Sequence, residues 1–546
     1  MTESDPRKPI GKAFIENSKE QSFLDQKISF VFRGKLSQHS THDLDRQSIQ
    51  IAAALIKNGI VNMDVALVGG FTITSTSLAL ALMMSRNRLI ILDSAEADRF
   101  SFIERINAEA IFIDESSLRS DVTLNHGVKD IYSFESSSEF KIVTDKKITK
   151  LELSESNQEA KDSVEKFIDE NISFNEIGFY TTTSGSTGVP KIIKMRNSTF
   201  YAKLKWATNP AGPQDLPKLA AKFGPDLPNV MGHINNIAAF ANFVGHIVVF
   251  VFSILSEPEA RKNILFCDQK DLKNSLAAAA VCKSGSLWAY VPKMLEIVES
   301  KEFKEIKLPT VSLFLAGGAK ITKEHIRRVR SNFAASQDGR KCHVLKLYGS
   351  TEMGSFLFRT GLLETDEIIE STDGIFCSNE GYYAEVRDKD GKVLPAGEKG
   401  ELFVKSPDLM MGYIGFPDQG EWYEMGDEAY LTDDNHVVVL GRLKEQITFV
   451  NTKKSNSVEL EDRMYKAGDF VKSVIVLAKR NENAFDDIYY IVYCDEADDE
   501  KILKHVEDDV LLLTKERPKV IFVREPFKML ANGKFDKKSL AAKYLE

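Results

Sequence analysis

The chain has 546 residues, 43% of them apolar, which is enough for two or more domains with separate hydrophobic cores. Its 80 acidic and 71 basic residues give a net charge of -9, which argues against duplex nucleic acid or an anionic membrane as the main partner. The five cysteines are scattered and never spaced as Cys-x-x-Cys, so neither a zinc site nor a disulfide framework is predicted. The N-terminus lacks the apolar run of a signal peptide, and we expect a cytoplasmic location.

The first part of the chain alternates predicted helices and strands. Apolar residues at helical spacing over 43–56 predict a helix that ends at Asn58 and Gly59. A strand, a helix and two further strands are predicted in turn over 65–70, 74–85, 88–93 and 110–114. This alternation is typical of a parallel sheet covered by helices.

The middle and the end of the chain differ from that pattern. Residues 133–176 are polar and charged, which predicts a surface excursion or a subdomain boundary. The apolar stretch 237–255 is interrupted by polar residues and glycine, so we expect a buried helix and then a buried strand, and no membrane span. Short strand-like runs from about 391 predict a β-rich subdomain, and residues 445–546 predict a small α+β unit.

The stretch TTTSGSTGVPK, residues 181–191, combines glycines and small hydroxyl residues with a lysine. Such a loop lets the backbone aim several N–H groups at one anion, and Lys191 adds a positive charge. It is not a Walker loop, because Gly188 is followed by Val-Pro-Lys. The composition alone is also typical of a flexible linker. Since strand-like IGFYTT and KIIKM flank it, we predict an anchored loop that holds phosphate.

Further motifs follow in a fixed order, namely LAGGAK (315–320), YGSTE (348–352), MGDEAYL (425–431), GRLKEQI (441–447) and NGKFDKKSL (532–540). Together with TSGSTGVPK, this set resembles the adenylate-forming superfamily, which includes acyl- and aryl-CoA ligases, luciferases and the stand-alone adenylation enzymes of peptide and polyketide synthetases. The resemblance spans nearly the whole chain. It implies an α/β fold with a large N-terminal domain, residues 1–443, of βαβ-type sheets with helices and a β-rich subdomain. It also implies a small mobile α+β C-terminal domain, residues 444–546, with a hinge at Lys444.

The resemblance implies a two-step reaction that uses ATP and Mg²⁺. A carboxylic acid is joined to AMP with release of pyrophosphate, and the acyl group then passes to a phosphopantetheine thiol of CoA or of a carrier protein. Lys534 is the implied catalytic lysine that bridges the acid and the α-phosphate. Thr351 would contact the α-phosphate and Glu352 would bind Mg²⁺, while Lys444 would act as the hinge.

The resemblance also assigns nucleotide contacts. A carboxylate such as Asp427 can accept hydrogen bonds from both ribose hydroxyls, and Tyr348 would lie against adenine. The family usually has threonine where Met425 stands, which leaves the aspartate in place. The complete implied set is Thr183, Ser184, Gly185, Ser186, Thr187, Gly188, Lys191, Gly317, Gly318, Ala319, Tyr348, Gly349, Ser350, Asp427 and Arg442.

The segment MGHINNIAAF, residues 231–240, falls where the family has its acid-binding helix, and the implied acid contacts are His233, Ile234, Asn235 and Asn236. Amino-acid-activating members carry an aspartate at the position of Ile234. An aliphatic side chain supplies no charge for an ammonium group, so we expect an aryl or medium-size acyl acid and not an ordinary α-amino acid. Asn451 stands where the family usually has glycine beside the pantetheine channel, which leaves the choice between CoA and a carrier protein open.

Two alternatives belong to other functional classes. One is a noncatalytic binding or scaffold protein that retains the fold, and the other is a luciferase-like enzyme that oxidises the acyl-adenylate. The presence of Glu352, Asp427 and Lys534 together favours a ligase over the scaffold.

Overall fold

The computed structural model describes residues 8–32, 34–70, 72–93, 99–114, 130–134, 141–144, 147–150, 157–183, 191–199, 236–240, 263–318, 321–359, 375–376, 382–433, 436–451, 453–483, 485–515, 517–530 and 534–545. Within these ranges, none of the helices is both long and apolar enough to cross a membrane.

The helices are α1 Ile10–Asn17, α2 Gln21–Leu24, α3 Thr41–Lys57, α4 Ile73–Met84, α5 Arg99–Arg105, α6 Asn157–Asn171, α7 Leu272–Val281, α8 Val291–Glu299, α9 Lys301–Glu305, α10 Lys323–Ser336, α11 Ser457–Tyr465, α12 Asp499–His505, α13 Leu511–Thr514 and α14 Lys537–Tyr544.

The strands of the first half are β1 Lys27–Phe32, β2 Lys35–Ser40, β3 Asp64–Gly69, β4 Arg88–Asp93, β5 Ala110–Asp114, β6 Asp130–Phe134, β7 Lys141–Thr144, β8 Lys147–Lys150, β9 Ile177–Thr182, β10 Ile192–Arg196, β11 Asn236–Phe240 and β12 Asn263–Phe266. Those of the second half are β13 Ser286–Tyr290, β14 Leu313–Gly317, β15 His343–Ser350, β16 Ser355–Arg359, β17 Ile375–Phe376, β18 Tyr383–Arg387, β19 Gly400–Lys405, β20 Gly412–Tyr413, β21 Tyr423–Leu431, β22 His436–Arg442, β23 Gln446–Thr448, β24 Lys454–Asn456, β25 Ser473–Arg480, β26 Asp486–Tyr493 and β27 Lys519–Val523.

Two large sheets carry most of these strands. One has the order β20-β10-β9-β4-β3-β5-β6, and the other runs β18-β19-β21-β22-β17-β16-β15-β14-β13-β11-β12-β1-β2. In the second sheet, β11 to β15 form a parallel centre, whereas β15 to β22 pair antiparallel. The predicted α/β class with a β-rich part is therefore confirmed.

The predicted helix over 43–56 is α3, and the residues at its ends explain its length. Ser40 and Asp43 form a capping box at the start, and Asn58 follows Lys57 at the end. The strands predicted over 65–70, 88–93 and 110–114 are β3, β4 and β5, which lie side by side and parallel. The helix predicted over 74–85 is α4, in which every residue except Thr76 is buried.

The polar segment 133–176 contains a packed helix that the composition did not predict. Helix α6 buries Ala160, Val164 and Ile168 in the same apolar core as α3 and α4. Buried positions spaced by four residues fall on one face of a helix, so α6 presents one apolar stripe to the core. Lys161 beside this stripe is also buried, and it donates to the Ser18 carbonyl. The interpretation of this part as a surface excursion is wrong for residues 157–171.

The secondary structure at the alanine-rich start of the stretch 237–255 also differs from the prediction. Residues Asn236–Phe240 form β11, a strand that pairs in parallel with β12 and β13. The predicted helix is therefore wrong for residues 237–240, and residues 241–255 lie outside the described part of the chain. Two parallel neighbours supply the backbone hydrogen bonds of a strand, and this pairing outweighs the helix propensity of two adjacent alanines.

The C-terminal part forms a small unit with its own core. Strands β25, β26 and β27 make a three-stranded sheet, against which α11, α12 and the following helical turns pack. Helix α12, the π-helical turn Val506–Val510 and α13 follow one another directly in this unit, in line with the α+β unit predicted for 445–546.

Candidate active site

The ends of the phosphate-loop stretch are held together by a hairpin. Strands β9 and β10 pair antiparallel, with Thr182 opposite Ile192. Beyond the last pair, the Thr183 N–H donates to the Lys191 carbonyl at 2.9 Å, and the Lys191 N–H donates to Thr183 Oγ1 at 3.0 Å. The stretch is therefore a loop anchored at both ends, as predicted. Ser184, Gly185, Ser186, Thr187 and Gly188 lie outside the described residues.

Parallel strands β13, β14 and β15 end at one edge of the large sheet, and carboxyl ends of parallel strands are where ligands bind in such folds. Gly318 lies at this edge with φ +78, and a Cβ there would be 2.4 Å from Cδ1 of Tyr290. A Cβ on Gly317 would be 2.9 Å from the Leu347 carbonyl oxygen. Both glycines thus allow a close approach that no side chain would permit. Ala319 lies outside the described residues.

Asp427 lies between two partners at the same edge. Tyr348 donates its hydroxyl to Asp427 Oδ2 at 2.6 Å, and Arg442 Nε lies 3.2 Å from Oδ1. Arg442 also donates to the Met425 carbonyl at 2.6 Å, which fixes the guanidinium. Burial raises the pKa of the Asp427 carboxyl, and the Arg442 charge opposes that rise. Asp427 and Arg442 are paired across β21 and β22, so the two motifs MGD and GRL meet through strand register.

Glu352 sits on a 3-10 turn, Thr351–Met353, that directly follows β15. Its carboxylate accepts a hydrogen bond from the Tyr413 hydroxyl at 2.9 Å, and its carbonyl accepts one from the Met410 N–H at 2.8 Å. The turn ends at Gly354, whose φ of +64 is in the left-handed region. Thr351 and Glu352 are therefore presented by a short, well-defined turn at the sheet edge.

Ser350 and Gly349 occupy the last positions of β15. The Ser350 hydroxyl is buried and has no hydrogen-bond partner among the described residues. A buried hydroxyl without a partner is unusual, and a ligand that supplies the missing hydrogen bond would explain it. Gly349 follows an irregularity in the pairing of β15 with β16.

Lys534 comes from the C-terminal unit and reaches this group. Burial lowers the pKa of its ammonium, and the Arg442 charge lowers it further. Glu352, Asp427 and Glu445 act in the opposite direction, so the ammonium lies within electrostatic range of all three carboxylates. Lys534 is thus brought to the residues of the large unit from a chain distance of more than 90 residues. Lys444 lies exposed on the 3-10 turn Leu443–Glu445 that directly follows β22.

Of the predicted acid-binding residues, the structure describes only Asn236, which does not lie at this edge. Asn236 lies at the amino end of β11, where its Oδ1 accepts a hydrogen bond from Asn263 at 2.8 Å. The register aligns the other end of β11, Phe240, with Ala289, one residue before the carboxyl end of β13. Asn236 therefore lies at the end of β11 that is away from the site, because residues 236–240 form a strand and not the expected helix. His233, Ile234 and Asn235 lie outside the described residues.

The structure adds residues that the motifs did not contain. Tyr413, on β20, contacts Glu352 through its hydroxyl and also lies 3.3 Å from the Tyr423 hydroxyl. For Asn451, which the sequence analysis already named, the structure adds its contacts: it donates to the Leu513 carbonyl at 3.2 Å and accepts from the Lys453 N–H at 3.1 Å. These contacts depend on strand pairing and loop packing, for which the sequence offers no local signal.

The site fits a magnesium nucleotide. No group of three or more His, Cys, Asp or Glu residues poised for a metal occurs in the described part of the chain. Mg²⁺ in nucleotide sites needs only one or two carboxylates, because phosphates and water supply its other ligands. The Glu352 carboxylate accepts a hydrogen bond from the Tyr413 hydroxyl, and two carboxylate oxygens offer further lone pairs for a cation. The unpaired Ser350 hydroxyl and the Tyr348, Asp427 and Arg442 cluster suit the nucleotide.

Comparison with known proteins places the chain in a family. The model of the family described as AMP-binding enzyme matches residues 20–414. A D-alanine--D-alanyl carrier protein ligase of Bacillus cereus (strain B4264) is 25% identical over 378 residues, which cover 66% of this chain and 69% of the relative. The corresponding ligase of Streptococcus agalactiae serotype III (strain NEM316) is 24% identical over 388 residues, with the same two coverages.

Solved structures share the fold over nearly the whole chain. The anthranilate CoA ligase AuaEII, in complex with anthranoyl-AMP, superimposes with a TM-score of 0.74 at 14% identity and covers 99% of this chain and 98% of its own. ATP-bound MatB from Rhodopseudomonas palustris gives a TM-score of 0.70 at 18% identity over 98% of this chain and 99% of its own. At these identities the likeness shows the fold. From the family match, the chain belongs to the AMP-binding enzymes, the adenylate-forming ligases that activate a carboxylic acid.

Proposed function

We propose that this protein uses ATP and Mg²⁺ to activate an aryl or medium-size acyl acid as its adenylate, and then transfers the acyl group to a phosphopantetheine thiol. The observation that carries the proposal is the position of Lys534. A buried ammonium from the C-terminal unit lies within electrostatic range of Glu352 and Asp427 in the large unit. Charged residues of separate motifs thus converge on one ammonium group whose pKa is lowered, and this convergence favours a catalytic role.

Each group has a distinct proposed task. Asp427, held by Tyr348 and Arg442, would accept the ribose hydroxyls. Lys191, together with Thr183 and the loop that they close, would hold the terminal phosphates. Lys534 and Thr351 would stabilise the charge that develops when the acid oxygen attacks the α-phosphorus and pyrophosphate leaves. Mg²⁺, bound through Glu352, would neutralise phosphate charge when present.

Two units with different tasks are part of this proposal. Residues 1–443 would bind the nucleotide and the acid, and residues 444–546 would supply Lys534. Lys444 stands on the turn that joins them and is exposed, which suits a hinge. The same rotation would bring the phosphopantetheine of CoA or of a carrier protein to the acyl-adenylate.

A second substrate class has its own support. The curated relatives are named as ligases of D-alanine and a D-alanyl carrier protein, so an amino acid and a carrier-protein acceptor are the alternative to an aryl or acyl acid with CoA. The position of Ile234 argues against the amino acid, because an isoleucine offers no charge to an α-ammonium group.

Pyrophosphate exchange into ATP tests the proposal. A panel of aryl acids, acyl acids and amino acids, including D-alanine, is screened with Mg²⁺, and we expect exchange with at least one aryl or acyl acid. Lys534→Ala should lower that exchange about a hundredfold or more, because a group that stabilises developing charge is lost. Lys538→Ala, an exposed lysine four residues later, serves as the control and should retain the wild-type rate.

The result separates the candidates. Exchange only with D-alanine or another amino acid would show that the substrate is an amino acid and not an aryl or acyl acid. Failure of every acid, together with no binding of magnesium ATP by calorimetry, would favour a noncatalytic protein. The acceptor is then identified by adding CoA or a phosphopantetheinylated carrier protein to the active acid and measuring thioester formation. Uptake of oxygen by the acyl-adenylate would instead indicate the luciferase-like reaction.

A further inference from the structure

Two opposite charges lie on either side of one tyrosine in the proposed nucleotide site. The Lys191 ammonium is 4.6 Å from the centre of the Tyr413 ring and 5.6 Å from that of Phe416. The Glu352 carboxylate accepts the hydroxyl of the same tyrosine at 2.9 Å. Neither Lys191 nor Glu352 forms an ion pair with any residue that the structure describes. The tyrosine therefore contacts the cation with its face and the carboxylate with its hydroxyl.

The backbone holds this tyrosine in place from both sides. Strand β20 pairs with β10, the strand that begins directly after Lys191, and Tyr413 is opposite Ile193. The Ile414 N–H donates to the Ile192 carbonyl at 2.9 Å, while the Met410 N–H donates to the Glu352 carbonyl at 2.8 Å. One short segment is thus tied both to the exit of the phosphate loop and to the turn that carries Glu352.

A direct ion pair would be the simplest use of these two charges. Opposite charges at contact distance attract each other, and a pair would neutralise both before a ligand arrives. A tyrosine between them satisfies each charge only partly, because the ring face attracts the ammonium and the hydroxyl donates one hydrogen bond to the carboxylate.

We propose that Tyr413 is a positioning residue that keeps Lys191 and Glu352 apart, so that the lysine remains free for nucleotide phosphate and the glutamate for the divalent cation. The proposal rests on the proposed function only in naming these two ligands. Tyr413 itself would contact neither the acid nor the reacting phosphorus.

Variants separate the two contacts of Tyr413. Tyr413→Phe keeps the ring and removes the hydroxyl, and Tyr413→Leu removes both. Tyr383→Phe, on an exposed tyrosine of β18, is the matched control for loss of a hydroxyl. For each protein, calorimetry gives the affinity for ATP in EDTA, pyrophosphate exchange gives the Mg²⁺ concentration for half-maximal rate, and a thermal melt checks the fold.

In Tyr413→Phe we expect the Mg²⁺ requirement to rise about tenfold, because a hydrogen bond to a charged group is lost. Its affinity for metal-free ATP should stay at the wild-type value. In Tyr413→Leu the metal-free ATP affinity should fall about threefold or more, because Lys191 can now pair with Glu352. Adding Glu352→Gln to Tyr413→Leu should restore this affinity, since no carboxylate remains to capture the lysine.

Restored ATP affinity in the double variant would show that Tyr413 keeps Lys191 and Glu352 apart. If Tyr413 only supported the fold, the second substitution would not restore the affinity. A wild-type Mg²⁺ requirement in Tyr413→Phe would overturn the proposal, and so would a double variant that binds metal-free ATP no better than Tyr413→Leu. If Tyr413→Leu does not fold, the Mg²⁺ requirement of Tyr413→Phe alone tests the proposal. If the wild-type protein exchanges pyrophosphate with no acid, the proposed function fails, while the calorimetric comparison still decides the role of Tyr413.

Discussion

The protonation of Lys534 links its burial to the pH dependence of the reaction. Because burial and Arg442 lower the pKa of this ammonium, it loses its proton at a lower pH than an ordinary lysine, whose pKa is 10.5. If the charged form stabilises adenylate formation, kcat/KM for ATP falls as the pH rises through this lowered pKa. We predict that Lys534→Arg moves the alkaline limb to higher pH, because guanidinium stays protonated.

The measurement is kcat/KM for ATP in pyrophosphate exchange as a function of pH, since this parameter reports groups of the free enzyme. Lys538→Arg, on the exposed lysine nearby, is the control for a general effect of arginine. Superimposable alkaline limbs in the wild type and Lys534→Arg would show that Lys534 does not set the pH dependence.

A second prediction at the scale of one residue concerns the effect of His325 on the pH dependence of stability. Its Nδ1 accepts the Thr322 N–H at 3.3 Å as part of a capping box on α10, and its ring packs edge-on against Tyr465 at 5.1 Å. Burial and the Arg328 charge lower its pKa to about 3. Between that value and 6.5, the unfolded chain binds a proton that the native protein does not. Stability therefore falls as the pH drops through this window.

We predict a loss of about 2 kcal/mol between pH 7 and pH 5 from this residue alone. His325→Gln should remove the loss, because glutamine does not titrate and can complete the same capping box. Unfolding free energies of both proteins at pH 7 and pH 5 give the difference, in which the other titrating groups cancel. An equal loss in the two proteins would contradict the assignment.

Helices and strands show what the sequence predicts and what it does not. Helix α3 was predictable because its capping box, its apolar spacing and Asn58 are all local. Helix α6 was missed because the composition of 133–176 is polar, although its buried residues are spaced by four. For β11, the two neighbouring strands determine the conformation, and they are distant in the chain. A helix expectation based on alanine content is overridden by such pairing.

The same contrast holds for the candidate site. Tyr348, Glu352, Asp427 and Arg442 each belong to a short motif, and the structure brings them together at the sheet edge. Tyr413 lies 61 residues from Glu352 and reaches it only because β20 pairs with β10. A residue whose position depends on strand pairing carries no signal in its own neighbourhood, so sequence motifs do not find it.

Helix α6 gives a prediction at this scale. Ile168 is buried in the core shared with α3 and α4, whereas Lys166 on the same helix is exposed. We expect Ile168→Ala to destabilise the protein by about 3 kcal/mol, from lost burial and the cavity left behind. Lys166→Ala should change stability by less than about 0.5 kcal/mol. Chemical unfolding followed by tryptophan fluorescence measures both, and similar effects of the two substitutions would show that α6 does not pack as described.

At the scale of the whole molecule, Arg328 of α10 ties the large unit to the C-terminal unit. Its guanidinium is ion-paired with Glu299 and donates to the Val471 carbonyl at 2.8 Å. It also lies 5.1 Å from the centre of the Tyr465 ring on α11. The side chain is only 3% exposed. We expect these contacts to help hold the C-terminal unit in the arrangement that brings Lys534 to Glu352 and Asp427.

The expected consequence concerns two half-reactions separately. Arg328→Met removes the ion pair with Glu299 and the polar contacts of Arg328 with the C-terminal unit, so Lys534 is held near the nucleotide for a smaller fraction of the time. We predict that adenylate formation slows about tenfold or more, since loss of one partner of a buried ion pair is costly. Transfer from a preformed acyl-adenylate to the thiol should not slow, because the resemblance implies a different orientation of the C-terminal unit for that step.

Rapid-quench measurement of each half-reaction makes this distinction, with the acid and acceptor identified by the exchange screen. Lys323→Met, an exposed lysine of α10, is the matched control and should leave both steps at the wild-type rate. Equal slowing of both half-reactions in Arg328→Met would mean that the substitution damages the fold. Slowing of thiol transfer alone would mean that the contacts around Arg328 belong to the other orientation. Selective slowing of adenylate formation is the outcome that ties the interface of α10 to the position of Lys534.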